Sequence, residues 1–147
     1  MPELDVCAAV ILRGSRILLA TRPAGTHLAG KWEFPGGKCF PGETLEDCIV
    51  REIQEELGVT VKQPALLCDL RHSYPDKVIR LHFLLCQLPD EARPHGHEGQ
   101  ECGWFQLHEL RDLDLAGADL AFVRMLLEDT PGSNRAAWQD LRNALDC

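Results

Sequence analysis

The sequence predicts an α/β fold, an α/β/α sandwich around a mixed β-sheet, on three observations. Apolar stretches of strand length, bounded by turn residues, recur through the first hundred or so positions; an amphipathic helix interrupts them at residues 45–57; and a second helical pattern, residues 118–128, follows the last strand. A chain of 147 residues suits one domain that buries roughly two thirds of its surface.

Val6 to Leu12 is an almost unbroken apolar run and reads as a buried strand. Arg13-Gly14-Ser15 turns it into a second strand, Arg16 to Thr21, making a hairpin. Residues 23–30 have the glycine, proline and small side chains of a loop. Arg22 at its edge and His27 within it either reach a bound anion or simply face water. Lys31-Trp32-Glu33-Phe34 follows as a short strand. Trp32 and Phe34 are core aromatics on the simplest reading, with Phe34 also placed to wall a pocket beside Gly36.

Thr44 is a good N-cap, with Asp47 completing an approximate capping box, and Gly58 suits the left-handed residue that ends a helix. Between them Leu45, Ile49, Ile53 and Leu57, with Cys48 alongside, form one apolar stripe. A loop then runs to about Pro64. Strands at Ala65 to Tyr74 and Val78 to Gln87 flank the turn Tyr74-Pro75-Asp76-Lys77. In the second of these, Val78, Arg80, His82, Leu84 and Cys86 alternate with Ile79, Leu81, Phe83 and Leu85, so one face is core and His82, on the mixed face, is structural.

Residues 88–100 lack periodicity and read as a loop carrying His95, His97 and Glu98, the histidines as surface groups. Cys102 to Phe105 is a short strand, and residues 107–115 form a single turn or short helix. The helix at 118–128 presents Leu120, Val123, Met125 and Leu127, and Thr130-Pro131-Gly132-Ser133 breaks it. A last helix, 134–145, carries Trp138 and Leu141. The chain thus divides into a domain at 1–130 and a helical tail at 131–147 packed on it.

The formal net charge of -8 argues against a polymeric nucleic-acid partner, which demands a basic face, but not against a small nucleotide bridged by metal. No run of 18 apolar residues exists and the start lacks the basic residues of a signal peptide. The expectation is a soluble, cytoplasmic protein with no membrane partner, a monomer or weak dimer. Seven cysteines, with no CxxC and no paired Cys/His spacing, read as reduced thiols serving mostly as small buried hydrophobes, so a zinc site is not expected. Cys39 stands apart because it lies in the loop beside the densest chemistry of the chain.

That chemistry is carried by Glu52, Glu55 and Glu56, at i, i+3 and i+4 of the first helix, whose carboxylates share one face. Most acidic helix faces are simply solvated. Here the glycine-rich approach Phe34-Pro35-Gly36-Gly37-Lys38 lets backbone come close to a ligand, and Arg51 stands next to the acids, able to pair with Glu55 or with Glu43. Three carboxylates that close repel one another. A hard divalent cation, Mg²⁺ or Mn²⁺, offsets that and holds phosphates through its open positions.

Gly37, five residues, Glu43, seven residues, then Arg51-Glu52-Ile53-x-Glu55-Glu56-x-Gly58-Val59 resembles, position for position, the signature of the Nudix hydrolases. The resemblance covers about residues 5–128 and implies the Nudix fold and metal-assisted attack of water on a diphosphate bridge. It further implies that Arg51 and Glu43 order the loop, and that Glu52, Glu55, Glu56 and the Gly36 carbonyl bind metal. Glu98, in Glu98-Gly99-Gln100 ahead of Trp104, matches a further carboxylate near the metals in MutT-like members. Glu52 is the first choice for general base and Glu98 the second.

Arg22, His27, Phe34, Lys38 and Asp119 are the candidates on the substrate side. MutT-like members carry an asparagine at the start of the last core helix, where this chain has Asp119. Asparagine donates and accepts at once, matching the carbonyl and protonated ring nitrogen of 8-oxoguanine, whereas an ionised aspartate only accepts unless burial keeps it protonated. Asp119 reads equally as no more than a helix cap. The implied function is a nucleoside triphosphate pyrophosphohydrolase giving monophosphate and pyrophosphate, with 8-oxo-dGTP first. CTP, dCTP or 2-oxo-dATP, then a nucleoside-diphosphate sugar, are the alternatives, and a nucleotide-sensing domain is the non-enzymatic one.

Overall fold

The computed structural model describes residues 2–26, 28–115 and 117–146, so His27 and Cys147 lie outside the described residues. Seven strands and four helices follow in the order β1 (Glu3–Arg13), β2 (Arg16–Thr21), β3 (Trp32–Glu33), β4 (Gly36–Lys38), α1 (Leu45–Leu57), β5 (Lys62–Tyr74), β6 (Lys77–Gln87), β7 (Cys102–Gln106), α2 (Leu107–Leu110), α3 (Asp119–Glu128) and α4 (Arg135–Leu145). The mixed sheet runs β3-β2-β1-β6-β5, with β4 also on β1 and β7 also on β2.

β1 is the axis of this sheet. It pairs in parallel with β6 from Glu3↔Val78 to Ile11↔Cys86 and antiparallel with β4 over Val6 to Ala8, while only Leu12 and Arg13 pair with β2. The expected hairpin therefore exists but is short, because most of β1 serves the other half of the sheet. For the same reason β1 starts at Glu3, ahead of its apolar run. Alternation in β1 is two-sided: Cys7, Ala9 and Ile11 face one apolar cluster with α1, whereas Ala8 and Val10 face a second with α3 and α4. A strand covered on both faces reads as a continuous apolar run.

β6 corrects the expectation of a single core face. Leu84 and Cys86 pack beneath α1 while Phe83 packs toward α3, so both sides of the strand are covered. His82 is 9% exposed and its Nε2 lies 2.9 Å from Asp5 Oδ1, in keeping with a structural role. The strand expected at 31–34 is found, shortened, as Trp32–Glu33 on β2, and a further short strand not foreseen in the sequence, Gly36–Lys38, crosses to β1. β5 begins before Pro64, and register shifts between Lys62 and Ala65 accommodate a residue that cannot donate to the ladder.

In α3 the inward residues are Asp119, Phe122, Val123 and Leu126, whereas Leu120 is exposed. α4 is anchored through Ala137, Trp138, Leu141 and Leu145. Trp138 meets Phe122 edge-on at 6.1 Å, and its Nε1 donates to Asp129 Oδ1 at 2.9 Å. No helix among the described residues is long and apolar enough to cross a membrane.

Removing the Trp138 ring leaves a cavity against Phe122 and takes the indole donor from Asp129, which keeps Arg142 Nε at 3.6 Å. Trp138→Ala should therefore lower unfolding free energy by about 3–5 kcal/mol in urea titration; a loss below about 1 kcal/mol, the level of an ordinary surface change, would mean that α4 contributes little to the core.

Candidate active site

α1 presents its acids by being held on its other side. Cys48, Ile49, Ile53 and Leu57 are buried beneath it, so Glu52, Glu55 and Glu56 turn toward the loop around β4. Thr44 Oγ1 accepts from the Asp47 amide at 3.1 Å, and Gly58 closes the helix at φ 70°, where a residue with a Cβ is strained. The next two carbonyls are used by another segment. His97 N–H donates to Glu56 O at 3.1 Å and His95 N–H to Leu57 O at 3.2 Å, while His97 Nδ1 lies 2.9 Å from Glu55 O. The histidines are exposed, as expected, but this docking on the end of α1 is what brings the Glu98 loop to the helix.

Arg51 is the hub of the acidic face. Its Nε and Nη2 donate to the two oxygens of Glu43 at 2.8 and 2.9 Å, its Nη1 to Glu52 at 2.8 Å and to Glu55 at 3.2 Å, and its Nη2 to the Lys38 carbonyl at 3.0 Å. A planar five-donor fork is suited to such an arrangement. Glu43 also accepts from the Phe40 amide at 2.9 Å. Chiefly the Arg51 bonds, then this amide, hold its carboxyl down to about 2. The exposed Phe40 ring lies 3.7 Å from the guanidinium and caps it, a contact no sequence pattern announced.

Glu56 is placed differently. Its Oε2 accepts from the Gly36 amide at 3.2 Å, tying helix to loop. Burial, then the charge of Glu33, push its carboxyl up to about 8, with Glu52 and Glu98 adding to the push and the Gly36 amide opposing it. Glu33, Glu52, Glu56 and Glu98 therefore share one patch. The glycines make this approach possible: a Cβ on Gly37 would strike the Glu52 carboxylate, and one on Gly36 the Cys7 carbonyl. Excess negative charge on hard oxygen donors, beyond what Arg51 offsets, fits a divalent cation of the magnesium type.

Glu33 was missed by sequence reasoning. It is next to Phe34 in a short extended stretch, and since successive side chains there point oppositely, a core Phe34 implies an outward Glu33. Arg22 Nη1 pairs with Glu33 Oε1 at 2.9 Å. Arg22 also lines an open cleft of about 510 Å³ with Trp32, Gly99 and Gln100. Gln100 is buried; its Oε1 accepts from the Glu98 amide at 2.8 Å, and its Nε2 has no protein partner.

Phe34 is 3% exposed, edge-on to Phe83 at 5.7 Å and Phe122 at 5.3 Å. Its ring is core, and it offers no open face on which a base can stack. Asp119 is 6% exposed and is the first residue of α3, with Ala118 at the cap position, so it is not the cap of its helix. Burial, then Glu33, push its carboxyl well above the ordinary range, against the pull of the Phe34 amide and of Arg22. Lys38 is exposed and contributes its carbonyl to Arg51. The described residues thus bring together Glu43, Arg51, Glu52, Glu55, Glu56, Glu98 and Gly36, with Arg22, Glu33, Phe34 and Asp119 on the adjoining side.

Residues 1–126 match the NUDIX domain family. The chain is 38% identical over 127 residues to the 8-oxo-dGTP diphosphatase of Escherichia coli (strain K12), covering 86% of this chain and 98% of that protein. It is 34% identical over 128 residues to the CTP pyrophosphohydrolase of the same strain, covering 86% and 91%. Among solved structures, a MutT NUDIX hydrolase from Burkholderia pseudomallei superposes with TM-score 0.75 at 30% identity, covering 84% of this chain and 98% of that one.

The Glu56 position makes a pH-dependent prediction. Its ordinary value is 4.5 and its folded value about 8, so between these the folded chain keeps a proton that the unfolded chain has lost. Its contribution to stability is fully present below 4.5 and is lost as pH rises through about 8. In divalent-free buffer, the Tm of Glu56→Gln minus that of the parent should therefore increase from about pH 5 to about pH 8, and Mg²⁺ should raise only the parent's Tm markedly. A difference independent of pH would mean that Glu56 is already ionised.

Proposed function

The chain belongs to the NUDIX family of hydrolases, and from that premise we propose that it is a metal-dependent nucleoside triphosphate pyrophosphohydrolase, releasing a nucleoside monophosphate and pyrophosphate. The observation that carries this reading is the Glu56 carboxylate held on the Gly36 amide amid Glu33, Glu52 and Glu98. Glu52, Glu55, Glu56, Glu98 and the Gly36 carbonyl hold the cation, magnesium with manganese as the alternative. When bound, the cation neutralises phosphate oxygens and lowers the pKa of a coordinated water.

The side chains do the rest. Glu52 takes the proton of the attacking water, with Glu98 the second choice, since neighbouring carboxylates titrate as a set. Arg51 holds Glu52 in place through the 2.8 Å bond while Glu43 fixes Arg51 in turn. Arg22, His27 and Lys38 donate to the polyphosphate. Residues 1–130 form the hydrolase domain and the tail helix braces it. Large exposed apolar residues among those described are limited to Phe40 and Leu120, which supports a monomer or weak dimer in the cytoplasm, acting on free nucleotides.

Asp119 decides the base. A buried, protonated carboxyl carries a donor and an acceptor, which restores the pair an asparagine offers and favours 8-oxo-dGTP. The second reading, CTP or dCTP, is supported by the 34% identity to a CTP pyrophosphohydrolase and requires Asp119 to ionise on binding, so that it accepts from an exocyclic amine.

Three outcomes test these assignments. Glu52→Gln should lower kcat by about 10²–10⁴ with an unchanged Tm; full turnover would remove Glu52 as the base. Gly37→Ala, which drives a methyl into Glu52, should cost about 10² in kcat/KM measured with Mg²⁺ in excess over substrate. Across 8-oxo-dGTP, dGTP, CTP, dCTP, 2-oxo-dATP and ADP-ribose, kcat/KM should be greatest for 8-oxo-dGTP, and Asp119→Asn should retain that order. Faster CTP turnover with no discrimination between dGTP and its oxidised form would assign the second reading instead.

A further inference from the structure

Behind the acidic patch, three thiols meet that no spacing in the sequence connects. Cys7 comes from β1, Cys39 directly follows β4, and Cys48 lies on α1, yet their sulfurs all fall within 4.8 Å of one another. Cys7 Sγ and Cys48 Sγ are buried and 2.7 Å apart; both donate toward the Gly37 carbonyl, at 3.5 and 3.9 Å. Arg51 Nη2 lies 4.0 Å from Cys48 Sγ and offsets negative charge there. Cys39 is partly exposed and leaves a way in from solvent.

We propose that Cys7, Cys39 and Cys48 form a second metal site, specific for a soft, thiophilic cation of the Zn²⁺ or Cu⁺ kind. Three sulfurs make a soft donor set that disfavours magnesium at this position, and the neighbouring Glu43 carboxylate is engaged by Arg51, whereas the oxygen donors of α1 suit a hard cation. Sulfurs bound to one ion at about 2.3 Å stand about 3.8 Å apart, so loading opens the Cys7–Cys48 pair, 2.7 Å apart, by about 1 Å. Each ligating thiol releases its proton to solvent. The Gly37 carbonyl then loses both S–H donors. Since Gly37 abuts the Glu52 carboxylate, occupancy of the thiol site disturbs the acidic face from behind, and a thiophilic cation inhibits without displacing magnesium.

The test uses the reduced, full-length chain with Mg²⁺ in large excess and Cd²⁺ as the probe, since cadmium-thiolate bonds absorb in the near ultraviolet. The parent should bind one Cd²⁺ per chain with this absorption, rise in Tm, and lose hydrolytic activity in a way that added Mg²⁺ does not restore. Cys39→Ser, at a half-exposed position, should fold, weaken Cd²⁺ binding by at least about tenfold and hydrolyse substrate in its presence. Cys102→Ser, outside the trio, should behave as the parent. Equal Cd²⁺ affinity in Cys39→Ser, or binding abolished by Mg²⁺, would overturn the proposal. So would a chain that resists reduction and weighs two hydrogens less, which would make Cys7–Cys48 a disulfide. Absence of turnover by the parent before Cd²⁺ is added would count against the hydrolase assignment rather than against the thiol site.

Discussion

Too many carboxylates share too little space, and one guanidinium makes that tolerable. Arg51 binds Glu43, Glu52 and Glu55 together with the Lys38 carbonyl, and it is itself covered by Phe40. Without a cation at its centre the acidic face of α1 would splay apart. Arg51 is sufficient only for its own side. Glu56, turned the other way toward Glu33 and Glu98, meets that repulsion by holding its proton more tightly than an ordinary carboxyl.

The backbone around this hub is as constrained as its charges. Gly36 and Gly37 run between β1 and α1 with no room for a side chain on either, so the same close contact carries the Gly36 amide to Glu56 and the Gly37 carbonyl to the thiols. One three-residue strand thus has the acids on one side and Cys7, Cys39 and Cys48 on the other. This is why a change in the thiols is felt by Glu52.

The side of the site around Phe34 and Asp119 is built by the opposite physics. Phe34, Phe83 and Phe122 form a dry cluster, with Phe83 and Phe122 stacked at 4.0 Å. Asp119 is set at its edge. Burial there raises the carboxyl's pKa and so favours the neutral form, which both donates and accepts. The identity of the residue matters less than the environment that sets its charge.

Much of this was legible in the chain. The bounds of α1, its Thr44 cap and Gly58 stop, the pairing of Arg51 with Glu43 and Glu55, and the mixed α/β architecture all follow from local pattern, because capping, helical period and i, i+4 neighbours depend on residues close in sequence. What only the tertiary structure decided depends on strands and loops distant in sequence. Parallel pairing of β1 with β6 buries both faces of β6; the docking of His95 and His97 on the end of α1 delivers Glu98; and the crossing of β4 onto β1 gathers three cysteines into one cluster. The burial of Phe34 and Asp119 belongs to the same class, since whether an aromatic ring is core or surface, and whether a carboxyl keeps its proton, is set by what long-range packing puts around it.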